Sequence, residues 1–147
     1  MFRKLIATST WWGTIPLRLA VGLVFLGHGS QKVLGSFGGP GFKAFTSGQT
    51  PFTFMRPTWF WLGAAAFSEF FGGILILLGL FTRLGAFLIA CTMLTAILGV
   101  HWPAGFFMPR GYEYPFTLFA IVIALLVSGG GALSIDRSLM GSGRRRS

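Results

Sequence analysis

Acidic residues are nearly missing from this chain: Glu69, Glu113 and Asp136 stand among 147 residues, against twelve Lys and Arg. Charge of either sign is scarce, at 10% of positions where an ordinary soluble domain carries about a quarter. With 53% hydrophobic residues and a mean hydropathy of +0.72, the composition excludes disorder and argues against a soluble fold. Cysteine is almost absent too. The lone Cys91 cannot close an intramolecular disulfide and lacks the CxxC spacing of a zinc or redox site, so it reads as a small packing residue and no metal site is expected. Also missing is the alternation of polar and apolar residues that marks membrane strands. The class that remains is all-α.

What the chain does have is long apolar windows. A bilayer core about 30 Å thick needs about 20 helical residues. Four windows approach that length: 14–35, with Arg18, His28 and Lys32; 59–81, with Glu69 near its middle; 84–101, without charge before His101; and 114–132. They predict an integral membrane four-helix bundle as one domain over 1–147. Between the first two lies a loop at 36–57 rich in Gly, Pro, Thr and Phe. A loop of that length in so small a protein is usually functional or docked. Trp11, Trp12, Trp59, Trp61 and Trp102 fall near expected helix ends, where an interfacial belt belongs. The net charge of +9 is scattered rather than gathered in one patch, so nucleic acid is not an expected partner. Membrane lipids are.

The cations also set orientation. Arg3, Lys4, Arg83, Arg137 and the run Arg144, Arg145, Arg146 fall on one side, with Lys43, Arg56 and Arg110 on the other. The richer side is expected to be cytoplasmic. Both termini then lie inside, and the aromatic loop faces outward.

Polar residues within the windows are the candidate site. Glu69 lies 13 positions after Arg56 and 14 before Arg83, about 20 Å of helix from either flank. Left in lipid it would cost on the order of 3 kcal/mol or more, so it should face inward with a partner, or be protonated, or both. Two rows of small residues, Ala65 to Gly73 and Ala64 to Gly72, give it a face that another helix can approach closely. It is either a structural anchor or a proton-handling group. Arg18, His28 and Lys32 share one flank of the first helix at about 100° per residue. Arg18 sits near the inner interface, and Lys32 can snorkel outward. His101, Tyr112 and Glu113 should arrive near the level of Lys32. An acid such as Glu113 in the first turn of a helix also simply complements its dipole.

These positions match a known pattern. Leu17-Arg18-Leu19, Gly27-His28-Gly29 and Gln31-Lys32 on helix one, and Glu69 with Gly72-Gly73, form its first half. Leu78-Gly79-Leu80-Phe81-Thr82-Arg83, His101 before Gly105-Phe106-Phe107, Gly111-Tyr112-Glu113-Tyr114-Pro115 and Ser134-Ile135-Asp136-Arg137 complete it. The sequence resembles the DoxX family of small four-helix proteins of bacterial and archaeal cytoplasmic membranes, along nearly its whole length. Some relatives are subunits of a thiosulfate:quinone oxidoreductase. The resemblance therefore implies a subunit of a larger membrane complex, with a quinone as cofactor. Proton handling would fall to Glu69, His28 and His101, and ligand binding to Arg18, Lys32, Glu113 and Tyr112. No iron–sulfur, flavin or haem attachment motif is present, so no intrinsic cofactor is evident. An accessory subunit without chemistry, a small transporter, and a haem held between His28 and His101 are the alternatives.

Overall fold

The computed structural model describes residue 4 and residues 6–142. Arg3 and Arg144, Arg145 and Arg146 lie outside them. Every described element is helical: α1 (Thr14–Leu34), α2 (Gly41–Thr46), α3 (Thr58–Leu78), α4 (Thr82–Ala96), α5 (Glu113–Ser128) and α6 (Ile135–Ser142). Two stretches are long and apolar enough to cross a membrane, Thr58–Leu78 and Thr82–Ala104. The latter is α4 continued by a π-helical turn (Ile97–His101) and a 3-10 turn (Trp102–Ala104). Helix α1 is also 21 residues long but less apolar because of its charges, and α5 is apolar but 16 residues long.

Local chemistry sets the helix ends. Helix α3 stops at a Schellman turn: Gly79 has φ 65°, its N–H bonds the Ile76 carbonyl, and the Leu80 N–H bonds the Leu75 carbonyl, both at 3.0 Å. Helix α4 has no cap of its own and borrows one. The Asp136 carboxylate accepts the Phe81 N–H (2.7 Å), the Thr82 N–H (3.0 Å) and the Thr82 hydroxyl (2.9 Å). Asp136 is completely buried, so its charge sits on the positive end of the α4 dipole. Helix α5 ends at Ser128, short of the expected residue 132, because Gly129 and Gly131 adopt positive φ and turn the chain. The expected loop at 36–57 contains the short helix α2, which packs on both α1 and α3.

The four long helices close into a ring, α1 on α3, α3 on α4, α4 on α5 and α5 back on α1. Val21, Phe25, Ile76, Ile89, Val122 and Leu125 fill its middle. The antiparallel α1 and α3 approach most closely. A Cβ on Gly29 would lie 2.5 Å from the Phe70 backbone, and one on Gly73 would lie 2.6 Å from the Leu26 backbone nitrogen. Gly72, one residue away, faces Ile89 and Gly85 of α4 instead. The two small-residue rows thus serve two neighbours, and Glu69 sits one turn before both.

The α1 and α3 seam leaves no room for a side chain at Gly29, whereas Gly27 meets nothing within 4 Å. Gly29→Val should therefore destabilise the fold by about 1–3 kcal/mol, with Gly27→Ala unchanged or slightly stabilised. Unfolding titrations in detergent micelles measure both.

Candidate functional site

Antiparallel packing determines who meets Glu69. Because Gly29 lies against Phe70, the next turn of α1 carries Lys32 to the level of Glu69. Its ammonium donates to both carboxylate oxygens, at 2.6 Å to Oε1 and 2.5 Å to Oε2. Glu69 is 3% exposed and the Lys32 side chain 24%. Lys32 therefore turns inward rather than snorkelling away. Its nitrogen also stands 5.2 Å from the centre of the Phe45 ring, whose π face favours a cation. The Phe45 ring belongs to α2, so the loop element closes over the ion pair.

This pair lies at one side of a cavity of about 470 Å³ between the loop-side halves of α3 and α4. Helix α3 contributes Trp61, Ala65, Ser68 and Glu69, and α4 contributes Leu88, Cys91, Thr92 and Thr95. The stretch from Gln49 to Met55 covers another side and is seated on the π-helical turn after α4, where Gly99 leaves space for Pro51 and Phe52. Trp61 and Cys91 are exposed, so the cavity opens to the outer face of the bundle. His101 lines the far end, set by the π turn that finishes α4. Its Nδ1 lies 2.8 Å from the Arg110 carbonyl, which can only accept, so Nδ1 carries the hydrogen and a neutral ring keeps Nε2 as an acceptor. A mostly apolar cavity with a few polar groups at fixed points is the usual form of a small-molecule site.

The structure brings together Glu69, Lys32 and His101 of the sequence candidates and sets the other four apart. Arg18 is buried at the opposite end. Its Nε donates to the Ile76 carbonyl and Nη2 to Leu77, both at 3.0 Å, while Nη1 reaches Gly130 at 3.1 Å and also Ala132 and Leu133. The guanidinium thereby gives a charged donor to carbonyls at the α3 C-terminus and in the turn after α5, those of Ile76 and Gly130 already accepting one bond each from Gly79 N–H and the Thr14 hydroxyl. His28 is exposed on α1, with Nδ1 on its own helix at the Val24 carbonyl, 2.9 Å away. It does not share the cavity with His101. Tyr112 stacks on Trp102, with ring centres 5.0 Å apart, and meets Phe106 edge-on. Glu113 accepts the Met108 N–H at 2.7 Å and so fastens the α4–α5 loop from the first turn of α5. Among the described residues, no group of three or more His, Cys, Asp or Glu could hold a metal ion.

Sequence reasoning missed part of the cavity wall. Thr92, Thr95 and Ser68 line it beside the charged pair, yet hydroxyls in an apolar helix give no signal that separates wall from packing. Cys91, read as a packing residue, proves to be exposed on the same wall.

Residues 13–102, more than half of the chain, match the DoxX family and include Arg18, Lys32, Glu69 and His101. The chain belongs to the DoxX family. It is also 30% identical over 133 residues, covering 84% of each protein, to the Bacillus subtilis (strain 168) protein named "Putative oxidoreductase CatD". No solved structure matches it. For this DoxX protein, family membership and the two long apolar helices fit a membrane protein.

The ion pair sets a stability test. Lys32→Met leaves the Glu69 carboxylate buried without its partner and should cost about 3–5 kcal/mol. Adding Glu69→Gln to the same chain should recover most of that loss. A double-mutant cycle of unfolding free energies in micelles reads the coupling.

Proposed function

We propose that this protein is an integral membrane subunit of a quinone-linked oxidoreductase assembly in a bacterial or archaeal cytoplasmic membrane. On this reading α1, α3, α4 and α5 all span, both termini are cytoplasmic, and the loop with α2 faces outward. The observation that carries it is the Glu69–Lys32 pair at the wall of an apolar cavity in the DoxX-matching region. The word oxidoreductase in the name of the Bacillus subtilis relative supports the redox part.

The cavity fits a quinone in size and in kind, being large enough for a substituted ring and apolar apart from a few polar groups. Lys32, Glu69 and His101 would hold the polar edge of the ring, and Trp61, Leu88 and Ala65 its apolar flank. A bound quinone supplies two-electron, two-proton chemistry. The chain's own residues bind the ring, keep water away from it and handle protons. Lys32 holds Glu69 at both oxygens, which fixes the carboxylate toward one point of the wall. Glu69 is the proton-handling group, and His101 Nε2 is a second acceptor nearer the loop end. Electrons pass to or from another subunit of the assembly.

A second reading, an accessory subunit without chemistry, is favoured by an exposed aromatic row. Phe42 meets Phe67 at a tilt with ring centres 5.1 Å apart, and Phe67 stacks on Phe71 at 5.8 Å, a row along α2 and α3 that suits a partner helix. One measurement separates the two. Glu69→Gln should abolish quinone-dependent turnover in native membranes while the protein still accumulates and co-purifies with its partners. Unchanged turnover in that variant would leave the accessory reading standing.

A further inference from the structure

The cavity is a slot that is covered on every side but one. Helices α3 and α4 meet tightly at a seam where a Cβ on Gly72 would lie 2.8 Å from Ile89, and one on Gly85 would lie 3.0 Å from the Gly72 carbonyl oxygen. Loop-ward of that seam the cavity separates the two helices. Its loop end is covered by the stretch seated on Gly99, and Lys32 with the Phe45 ring stands behind Glu69. The remaining side lies open. Around α3, at about 100° per residue, Glu69, Ala65, Ser68 and Ala64 follow one another in steps of about 40–60°. Their burial falls in the same order, from Glu69 at 3% exposure through half-buried Ala65 and Ser68 to exposed Ala64. On α4 the exposed Cys91 lines the same cavity, so the mouth lies between Ala64 and Cys91. Ala64 is six residues, about 9 Å, from the loop end of α3, and Cys91 is nine residues, about 14 Å, from the opposite end of α4. With α3 and α4 spanning, both positions fall inside a hydrocarbon core about 30 Å thick, and the mouth meets lipid chains rather than water.

We infer that the cavity is loaded sideways from the bilayer through this α3–α4 mouth, and that its ligand carries a hydrocarbon tail that stays in the mouth while its polar head lies at the Lys32–Glu69 pair. This rests on the spanning, quinone-binding reading and adds the entry route and the tail. A water-soluble molecule would have to displace the loop that covers the slot, whereas a molecule dissolved in the membrane reaches the mouth by diffusing in the plane of the bilayer. The head leaves lipid for the closed end of the slot, where the polar groups are. The tail keeps apolar surface against apolar wall and continues past Ala64 and Cys91 into lipid, so no part of it is exposed to water. Ala64 becomes a specificity residue on this account. Its small side chain leaves the mouth open to a tail, and a bulky one at the same position closes it.

The chain's single cysteine places a probe at the mouth. A nitroxide attached to Cys91, with the full chain in phosphatidylcholine nanodiscs, should be relaxed more strongly by oxygen, which concentrates in lipid, than by water-borne nickel–EDDA. Decylubiquinone should lower the oxygen effect in a saturable way. Ala64→Trp adds its bulk at an exposed position and should raise the mole fraction of decylubiquinone required by about tenfold. Ala20→Trp, exposed on α1 away from the mouth, should leave that fraction unchanged. Stronger relaxation by nickel–EDDA overturns the inference, because the mouth then opens to water. An Ala64→Trp variant that takes up decylubiquinone as the parent chain does overturns it too. In either case saturable shielding by decylubiquinone leaves the quinone reading intact. Absence of any shielding, with the slot holding phospholipid chains alone, overturns both.

Discussion

The contact between Lys32 and Glu69 is the constraint around which the loop-side half of the molecule is arranged. A carboxylate at 3% exposure in an apolar helix has to be matched by a cation, and the cation has to come from another helix at the same depth. That requires α1 and α3 to run antiparallel in one register, which in turn requires glycine at positions 29 and 73, where the two backbones nearly touch. The ion pair thus explains the glycines, and the glycines make the ion pair reachable. Lys32 then draws the Phe45 ring of α2 over itself, so the loop that closes the cavity is placed by the same charge.

Much of this was legible in the chain. Helical windows near twenty residues long, interrupted by turn residues, gave the order of the long helices, and the depth of Glu69 singled it out. Its partner was less legible, because Lys32 in the last turn of α1 is equally well placed to reach water. Register decides between the two, and register depends on backbone contacts across helices. Arg18 shows the same difficulty from the other side. A lone cation near a helix start looks like a ligand group or an interfacial anchor, and only the folded chain reveals carbonyls from residues 76, 77 and 130 converging on it. Asp136 caps a helix that begins 54 residues earlier, a pairing that no local signal announces.

The misplaced helix end has a simpler cause. Residues 129–132 are Gly-Gly-Gly-Ala, uncharged and so indistinguishable by hydropathy from more of the span, but glycine is cheap to turn and costly to keep helical. Glu113 was grouped with the cavity by level, and His28 by the flank of α1 that it shares with Lys32. Level says nothing of azimuth, and a shared flank is broad enough to hold both an inward and an outward side chain: Glu113 turns to the adjoining loop and His28 is exposed.

The two ends of the bundle are fastened in different ways. At the end away from the loop, Arg18 gathers carbonyls of α3 and of the turn after α5, Asp136 clamps the start of α4, and Arg83 reaches Ala7 and Val127. All four long helices are thereby anchored through many directional bonds to the backbone. At the other end the Lys32–Glu69 pair, a stretch of loop seated on Gly99, and the bonds of Glu113 to Met108 and of His101 to Arg110 hold the loops in place. One end is thus joined by side chains that reach the backbone of distant segments, the other by a charge pair with loop elements folded over it.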